Sequence, residues 1–376
     1  MTLYHISIKK IIKRCTFSIF AASLLLSSAA FSGCSLKANT AENSDAVLSG
    51  CSSKVNTTQT ADSESQEPIS TTAIKLNTAV TITIYDSQNK NLLTECMNLC
   101  DKYEKIFSRT ASDSELYKLN HRQLTPVDGT DNTYQVSDSL AELIQKGLYY
   151  SDLSDGAFDI AIEPLTSLWD FTAEDPQVPE DSLIQNALSK CDYHNISVGG
   201  KDNNEITLKT DDTAIELGAI AKGYIADRIK DYLKKNGVKH AVIDLGGNIL
   251  LLGSKTDGSK YNIGIQKPFG ETGEPITSIK VANKSVVTTG IYQRYFEADG
   301  KIYHHILDPR TGYPCENTLY SDTIITDSSL TADALSTVCY LMGYEAANDL
   351  IDQLENVDAL FITNDNEIHY TKNFLR

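Results

Sequence analysis

Between Ser35 and about Thr72 the chain has almost no large apolar residue and no periodicity; Ser, Thr, Ala, Asn, Asp and Glu dominate. Such a segment cannot bury enough surface to offset the entropy of ordering it, so any fold is confined to the residues C-terminal to it. It reads as a tether of about 38 residues with a coil span on the order of 30–40 Å.

Ahead of the tether, Lys9, Lys10, Lys13 and Arg14 precede an apolar stretch from Phe17 to about Phe31. This is the layout of a secretory signal peptide, and the run is short of the ~20 apolar residues a spanning helix needs. Phe31-Ser32-Gly33-Cys34 has the form of a bacterial lipobox. Leu48-Ser49-Gly50-Cys51 fits that form locally but follows polar sequence, so position favours Cys34. The expected organisation is a signal peptide over 1–33 with its lipobox ending at Cys34, a tether over 34–73 and a folded catalytic part over 74–376. The expected location is the extracytoplasmic face of a membrane, through a lipid anchor.

Charge excludes one class of partner. Thirty-three Lys and Arg against 50 Asp and Glu give a net −17, or −21 once the four early cations are removed. A chain this acidic does not hold a nucleic-acid backbone by charge. The remaining cysteines are scattered; Cys96 and Cys100, four apart in a helical pattern, read as buried free thiols ahead of a metal or redox pair.

Val80, Ile82 and Ile84 alternate with Thr81 and Thr83, predicting a strand over 76–85. Leu92, Leu93, Cys96, Leu99, Cys100, Tyr103 and Phe107 recur at helical spacing, predicting a helix over 89–107. Further helices are expected over 137–152, over 218–236 with Gly237 closing it, and over 331–354. Short β runs are expected at 240–244, 249–252, 261–266, 285–289, 302–307 and 322–326, with a closing hairpin at 359–363 and 367–370. Helices and strands alternate without the regular βαβ period, which gives an α+β fold with a mixed, largely antiparallel sheet.

Three clusters carry functional chemistry. Glu216-Leu217-Gly218-Ala219-Ile220-Ala221-Lys222-Gly223-Tyr224 opens a helix with small residues, which suits an anionic group and equally suits close packing. Asp333 and Thr337 lie one helical turn apart in Thr331-Ala332-Asp333-Ala334-Leu335-Ser336-Thr337. They offer oxygen ligands to a hard cation, or else a charge for the helix dipole and a hydroxyl bonded back to a carbonyl. In Tyr303-His304-His305-Ile306-Leu307-Asp308-Pro309-Arg310-Thr311-Gly312-Tyr313-Pro314, adjacent His residues on a strand face opposite sides. At most one of them serves a given site, as a general base or as a structural histidine.

With Phe107-Ser108-Arg109, Asp113-Ser114-Glu115-Leu116, Leu119-Asn120, Ser154-Asp155-Gly156-Ala157-Phe158-Asp159, Pro164-Leu165, Leu168-Trp169, Asp244-Leu245-Gly246-Gly247 and Thr288-Thr289-Gly290, these clusters resemble the ApbE family of FAD:protein FMN transferases. The resemblance spans roughly residues 74 to 375 and implies a single catalytic unit of two subdomains. It implies Mg²⁺-dependent transfer of FMN from the substrate FAD to a Ser or Thr hydroxyl of a partner protein, a membrane electron-transfer subunit, with release of AMP.

By the same resemblance the metal is held by the Ala219 carbonyl and the side chains of Asp333 and Thr337. The base is His305, with His304 facing away. The flavin nucleotide touches Ala157, Phe158, Asp159, Glu216, Lys222 and Ile306. Thr110 stands where many members have a Tyr, Glu216 replaces the usual Asp, Ile291 follows Thr-Thr-Gly and Asp170 follows Leu-Trp. In so acidic a chain the devices expected to hold an anionic ligand are the helix start, Lys222, Arg310 and the cation. The competing functions are an FAD pyrophosphatase and a non-catalytic flavin-binding lipoprotein.

Overall fold

The computed structural model describes residues 67–375 apart from Thr172 and Thr272. The expected signal peptide, the lipobox at Cys34 and the tether as far as Gln66 lie outside the described residues. The chain enters the fold through an edge strand, Ile69–Lys75 (β1), paired along its length with Thr78–Ile84 (β2). This strand crosses the boundary expected at residue 73. Ile69 is the buried residue of β1, whereas Val80, Ile82 and Ile84 of β2 are inaccessible to solvent. An edge strand with Ser and Thr facing water shows little alternation in its sequence.

Lys90–Phe107 (α1), Glu115–Asn120 (α2) and Asp138–Leu153 (α3) start where Asn89, Ser114 and Ser137 offer side-chain oxygens to the first-turn amides; Thr133–Gln135 (β3) precedes the last of them. The buried face of α1 carries Leu92, Leu93, Tyr103, Phe107 and the free thiols of Cys96 and Cys100. Glu163–Leu168 (α4), Asp181–Leu188 (α5), Ile196–Gly199 (β4) and Glu205–Leu208 (β5) lead to Gly218–Lys235 (α6). Gly237 follows α6 at φ +83, the left-handed turn that closes a helix.

A run of strands comes next: Ala241–Leu245 (β6), Asn248–Leu252 (β7), Tyr261–Gln266 (β8), Pro275–Val281 (β9), Ser285–Gly290 (β10), Tyr295–Ala298 (β11), Lys301–His304 (β12) and Leu319–Thr326 (β13). Ser329–Met342 (α7), Tyr344–Ile351 (α8), Asp358–Thr363 (β14) and Ile368–Tyr370 (β15) complete the chain. The helix expected over 331–354 is broken by Gly343 at φ +78, and the strand expected to reach Leu307 stops at His304.

The main sheet has the order β1-β2-β6-β7-β10-β13-β14-β15, with antiparallel pairing between neighbours. This is the α+β, largely antiparallel architecture read from the sequence. α7 packs on β10 and β13 and lies beside α6. A smaller apolar cluster joins β8 and β9 to the other face, and a third surrounds Trp169 beside α4 and α5. One end of the sheet gathers the β1–β2 turn at Leu76 and Asn77, the Gly246-Gly247 turn, and Gly290 at the end of β10. Gly246 sits so close to Thr78 that a Cβ there would lie 2.0 Å from its hydroxyl oxygen.

Candidate active site

α6 begins without a side-chain cap, so its start is held from elsewhere. The Asn120 side chain donates to the Ile215 carbonyl at 2.9 Å and accepts from the Ile215 amide at 2.8 Å. Arg122 donates to the carbonyls of Thr210, Asp211 and Thr213. Glu216 comes next, its amide donating to the Ile160 carbonyl at 2.8 Å. One carboxylate oxygen of Glu216 accepts from the Gly218 amide at 2.7 Å and the other pairs with the Arg109 guanidinium, which also donates to Ser167 Oγ at 2.9 Å.

The Phe-Ser-Arg and Leu-Asn motifs therefore converge on one point, the entry to α6. Its first-turn amides are largely used within the chain: Gly218 donates to Glu216, while Ile220 and Ala221 donate to the Leu217 carbonyl. A cradle of free amides is not what the helix start offers. Arg310 is likewise not a free cation, being locked in a two-point pair with Asp308 at 2.9 and 2.8 Å. That leaves Lys222, whose Nζ is 3.4 Å from Asp333 Oδ1 and 3.4 Å from the Gly218 carbonyl.

Asp333 comes from α7 and is buried; its Oδ2 accepts from the Gly223 amide of α6 at 2.8 Å. In a regular helix that amide bonds the carbonyl four residues back, here Ala219, so the carboxylate competes with the Ala219 carbonyl for one proton. The approach depends on Gly223, where a Cβ would lie 2.3 Å from the Ser329 carbonyl oxygen. Thr337, one turn after Asp333 and half-buried, makes no side-chain hydrogen bond among the described residues. The bond back to the Asp333 carbonyl comes instead from Ser336 Oγ at 2.9 Å. Burial pushes the Asp333 pKa up, and Lys222 and the Gly223 amide pull it down. A desolvated carboxylate, an unbonded hydroxyl one helical turn on and a backbone carbonyl are oxygen donors of the kind that hard cations such as Mg²⁺ take. Among the described residues no group of three or more His, Cys, Asp or Glu side chains gathers to hold a metal ion, so a cation here would rest on one carboxylate with hydroxyl and carbonyl oxygens.

The two histidines are placed differently. His304, on β12, is buried; its Nε2 lies 3.0 Å from the Cys315 carbonyl and its Nδ1 accepts weakly from the Ile306 amide. Both ring nitrogens are engaged in holding the chain. His305, past the strand end and half-buried, has Nδ1 3.2 Å from the Arg294 carbonyl. A carbonyl only accepts, so Nδ1 carries the proton and Nε2, which has no partner among the described residues, is the basic nitrogen. Burial first, then the charges of Arg294, His304 and Lys222, against the Arg294 carbonyl, lower its pKa to about 4.

The residues expected to contact the flavin divide. Glu216 and Lys222 are partly open. Ala157, Phe158 and Ile306 are buried, as is Asp159, whose carboxylate accepts from the amides of Ala161 at 2.6 Å and Tyr193 at 3.1 Å. Burial raises the Asp159 pKa to about 6 against those bonds, and its visible task is to shape the loop before α4. Trp169 holds the Asp-Pro-Arg-Thr-Gly loop by donating to the Gly312 carbonyl at 2.9 Å. The clamp by Asn120 and this Trp169 bond have no local signature, since each joins residues far apart in the chain, whereas the Arg294 carbonyl meets His305 eleven residues on, across the β11–β12 hairpin.

The ApbE family pattern matches residues 76–361. The FAD:protein FMN transferase of Klebsiella pneumoniae (strain 342) is 34% identical over 299 residues, covering 80% of this chain and 90% of the relative. That of Treponema pallidum (strain Nichols) is 35% identical over 291 residues, covering 73% and 78%. Among solved structures, the ApbE protein of Thermotoga maritima superposes with a TM-score of 0.72 at 29% identity, over 82% of this chain and 98% of the other. The Vibrio cholerae flavin transferase ApbE gives 0.71 at 25%, with the same coverage. The motifs, the fold and these relatives agree, and the chain belongs to the ApbE family.

Proposed function

We propose that this flavin transferase moves the FMN half of FAD onto a Ser or Thr hydroxyl of a partner protein. The observation that carries the reading is the Nε2 of His305, left without a partner among the described residues while Nδ1 is held by the Arg294 carbonyl. A hydroxyl is a weak nucleophile and needs a base within reach. His305 Nε2 takes the hydroxyl proton as the oxygen bonds the FMN phosphorus, and the pyrophosphate bond breaks with AMP as the leaving group. Nδ1, bonded to the Arg294 carbonyl, fixes the ring. Lys222 balances phosphate charge, and Arg109 with Asn120 holds the α6 start that carries it.

Magnesium, held by the Ala219 carbonyl, Asp333 and Thr337, would supply Lewis-acid neutralisation of the pyrophosphate. Asp333→Ala should abolish both turnover and the rise in melting temperature on adding Mg²⁺ with FAD; an undiminished rise would remove Asp333 from the metal site. The sequence supports export and a lipid anchor at Cys34, which would set the acceptor among membrane electron-transfer proteins.

Incubation with FAD, Mg²⁺ and a Ser/Thr-bearing acceptor domain, followed by mass spectrometry, tests the reaction. FMN mass on the acceptor together with AMP is the expected result. Free FMN and AMP would make water the acceptor and the protein a pyrophosphatase, while intact FAD would leave binding alone.

A further inference from the structure

The end of the sheet opposite the candidate site gathers seven lysines in a chain that is acidic as a whole. α6 runs from the site to Lys234 and Lys235, Lys239 leads into β6, Lys255 comes after β7, Lys260 precedes β8, Lys280 is near the end of β9, and Lys284 precedes β10. The pairings Ala241↔Leu252, Ser285↔Leu250 and Tyr261↔Val281 bring these termini together. Lys234, Lys235, Lys239, Lys260 and Lys280 are exposed. Among the described residues Lys284 is the member with an ion-pair partner, Asp327 at 2.9 Å. Acids are present too: Asp86 accepts from the Lys239 amide, Asp257 is bound by Ser259, and Asp352, Glu355 and Asp358 line the same cleft of about 600 Å³ as Lys260, Lys280 and Lys284.

The chain enters the fold at this end. Ile69 pairs with Ile84, Ile84 pairs with Ala241, and the Tyr85 amide donates to the His240 carbonyl at 2.9 Å. Gln88 reaches the Glu67 carbonyl at 2.7 Å, and the Tyr85 ring meets Tyr261, next to Lys260, at 6.1 Å. Lys222 of the candidate site precedes Lys235 by thirteen residues of α6, about 20 Å along the axis. The Arg294 that supports His305 reaches the Asn77 carbonyl, at the far end of β1.

We propose that this lysine-bearing end lies against an anionic lipid surface, with lipid phosphates taken by Lys239, Lys255, Lys260 and Lys280, so that the catalytic end faces the aqueous side and incoming acceptors. A chain of net −17 is repelled by such a surface as a whole. Attraction must therefore come from cations within about one Debye length of the headgroups, ~8–10 Å. A tether fixed at the membrane would lead to this end of the fold within about 30–40 Å of the headgroups, and the lysines would close the remaining distance.

The chain from residue 35 onward, which keeps every described element, is mixed with vesicles of phosphatidylcholine alone or with 30% phosphatidylglycerol and sedimented. Binding to the anionic vesicles in 20 mM salt, little to the neutral ones, and loss in 0.5 M NaCl are expected. The variant Lys239→Glu/Lys260→Glu/Lys280→Glu should bind at least about tenfold more weakly. Lys102→Glu/Lys105→Glu/Lys146→Glu, the same charge change elsewhere, should bind nearly as the parent does. No preference for anionic vesicles, or equal losses in the two variants, overturns the proposal. No flavin is required, so the outcome is independent of the transfer reaction.

Discussion

At the scale of single residues, burial decides which titratable groups act. His304 and His305 both have their pKa lowered to about 4, by burial foremost, yet only His305 has a ring nitrogen left for chemistry. His305→Ala should lower flavin transfer by about 10²–10⁴-fold, while His304→Ala should mainly cost stability; equal losses of kcat at equal folded fraction would remove the assignment. The shared depression also gives a pH dependence. Both rings prefer the neutral form in the folded protein, so their contribution is complete above the ordinary value of 6.5 and is lost as pH falls toward 4. Acid titration of the melting temperature should show a fall in that window that is smaller in His304→Ala. Asp322 is the opposite case. It lies wholly buried on β13, neither carboxylate oxygen has a partner among the described residues, and burial raises its pKa well above 3.8. The penalty grows as pH rises past the ordinary carboxylate value, so Asp322→Val should stabilise by about 1–3 kcal/mol at pH 7 and by much less at pH 4. A loss of stability at pH 7, read by urea unfolding, would mean that the carboxyl has a partner in solution.

At the scale of elements, the meeting of α6 and α7 builds the site, and Gly223 sets how closely they meet. A Cβ there would lie 2.7 Å from both Asp333 Cβ and Leu330 Cα. On helix propensity alone Gly→Ala gains up to about 1 kcal/mol, whereas forcing the helices apart costs about 1–3 kcal/mol. Gly223→Ala should therefore destabilise and weaken Mg²⁺-dependent binding of FAD together; a stabilised variant with unchanged binding would refute the close-packing account. α1, α3 and α6 were legible in the sequence because each is long, periodic and bounded by a cap or a Gly. The strands β4, β5, β9 and β11 were not, being short or exposed on one face, and the Gly343 break was hidden because apolar spacing continues across it. The site was legible as motifs and illegible as contacts. Asp333 and Thr337 share a face by local geometry alone, but the Asn120–Ile215 clamp spans 95 residues and the Trp169–Gly312 bond 143. Arg310 looked like an available cation because nothing in the sequence shows that Asp308, two residues away, turns back to meet it.

For the whole molecule, the question is where the fold begins, because loss of apolar pattern and loss of structure do not coincide. A boundary at residue 74 would leave two residues of β1 and expose the edge of β2, where Val80, Ile82 and Ile84 are fully covered. It would also delete Ile69 and the Ser70 hydroxyl, which bonds the Ile82 carbonyl at 3.1 Å and lies 2.9 Å from Thr83 Oγ1. A chain starting at residue 67 keeps all of these, together with the Glu67–Gln88 bond. It should melt within about 2 °C of a chain starting at residue 35, whereas a chain starting at 74 should melt about 5–15 °C lower, given a shift of roughly 2–4 °C per kcal/mol for a domain of this size. The shorter chain should also associate more readily through its bared strand edge, seen as a concentration-dependent rise in light scattering. Equal melting temperatures for the chains starting at 67 and 74 would show β1 to be dispensable. The charged end that it shares with Lys239 and Lys260 would then be a surface feature independent of where the chain enters, and orientation at a membrane would have to come from the lysines alone.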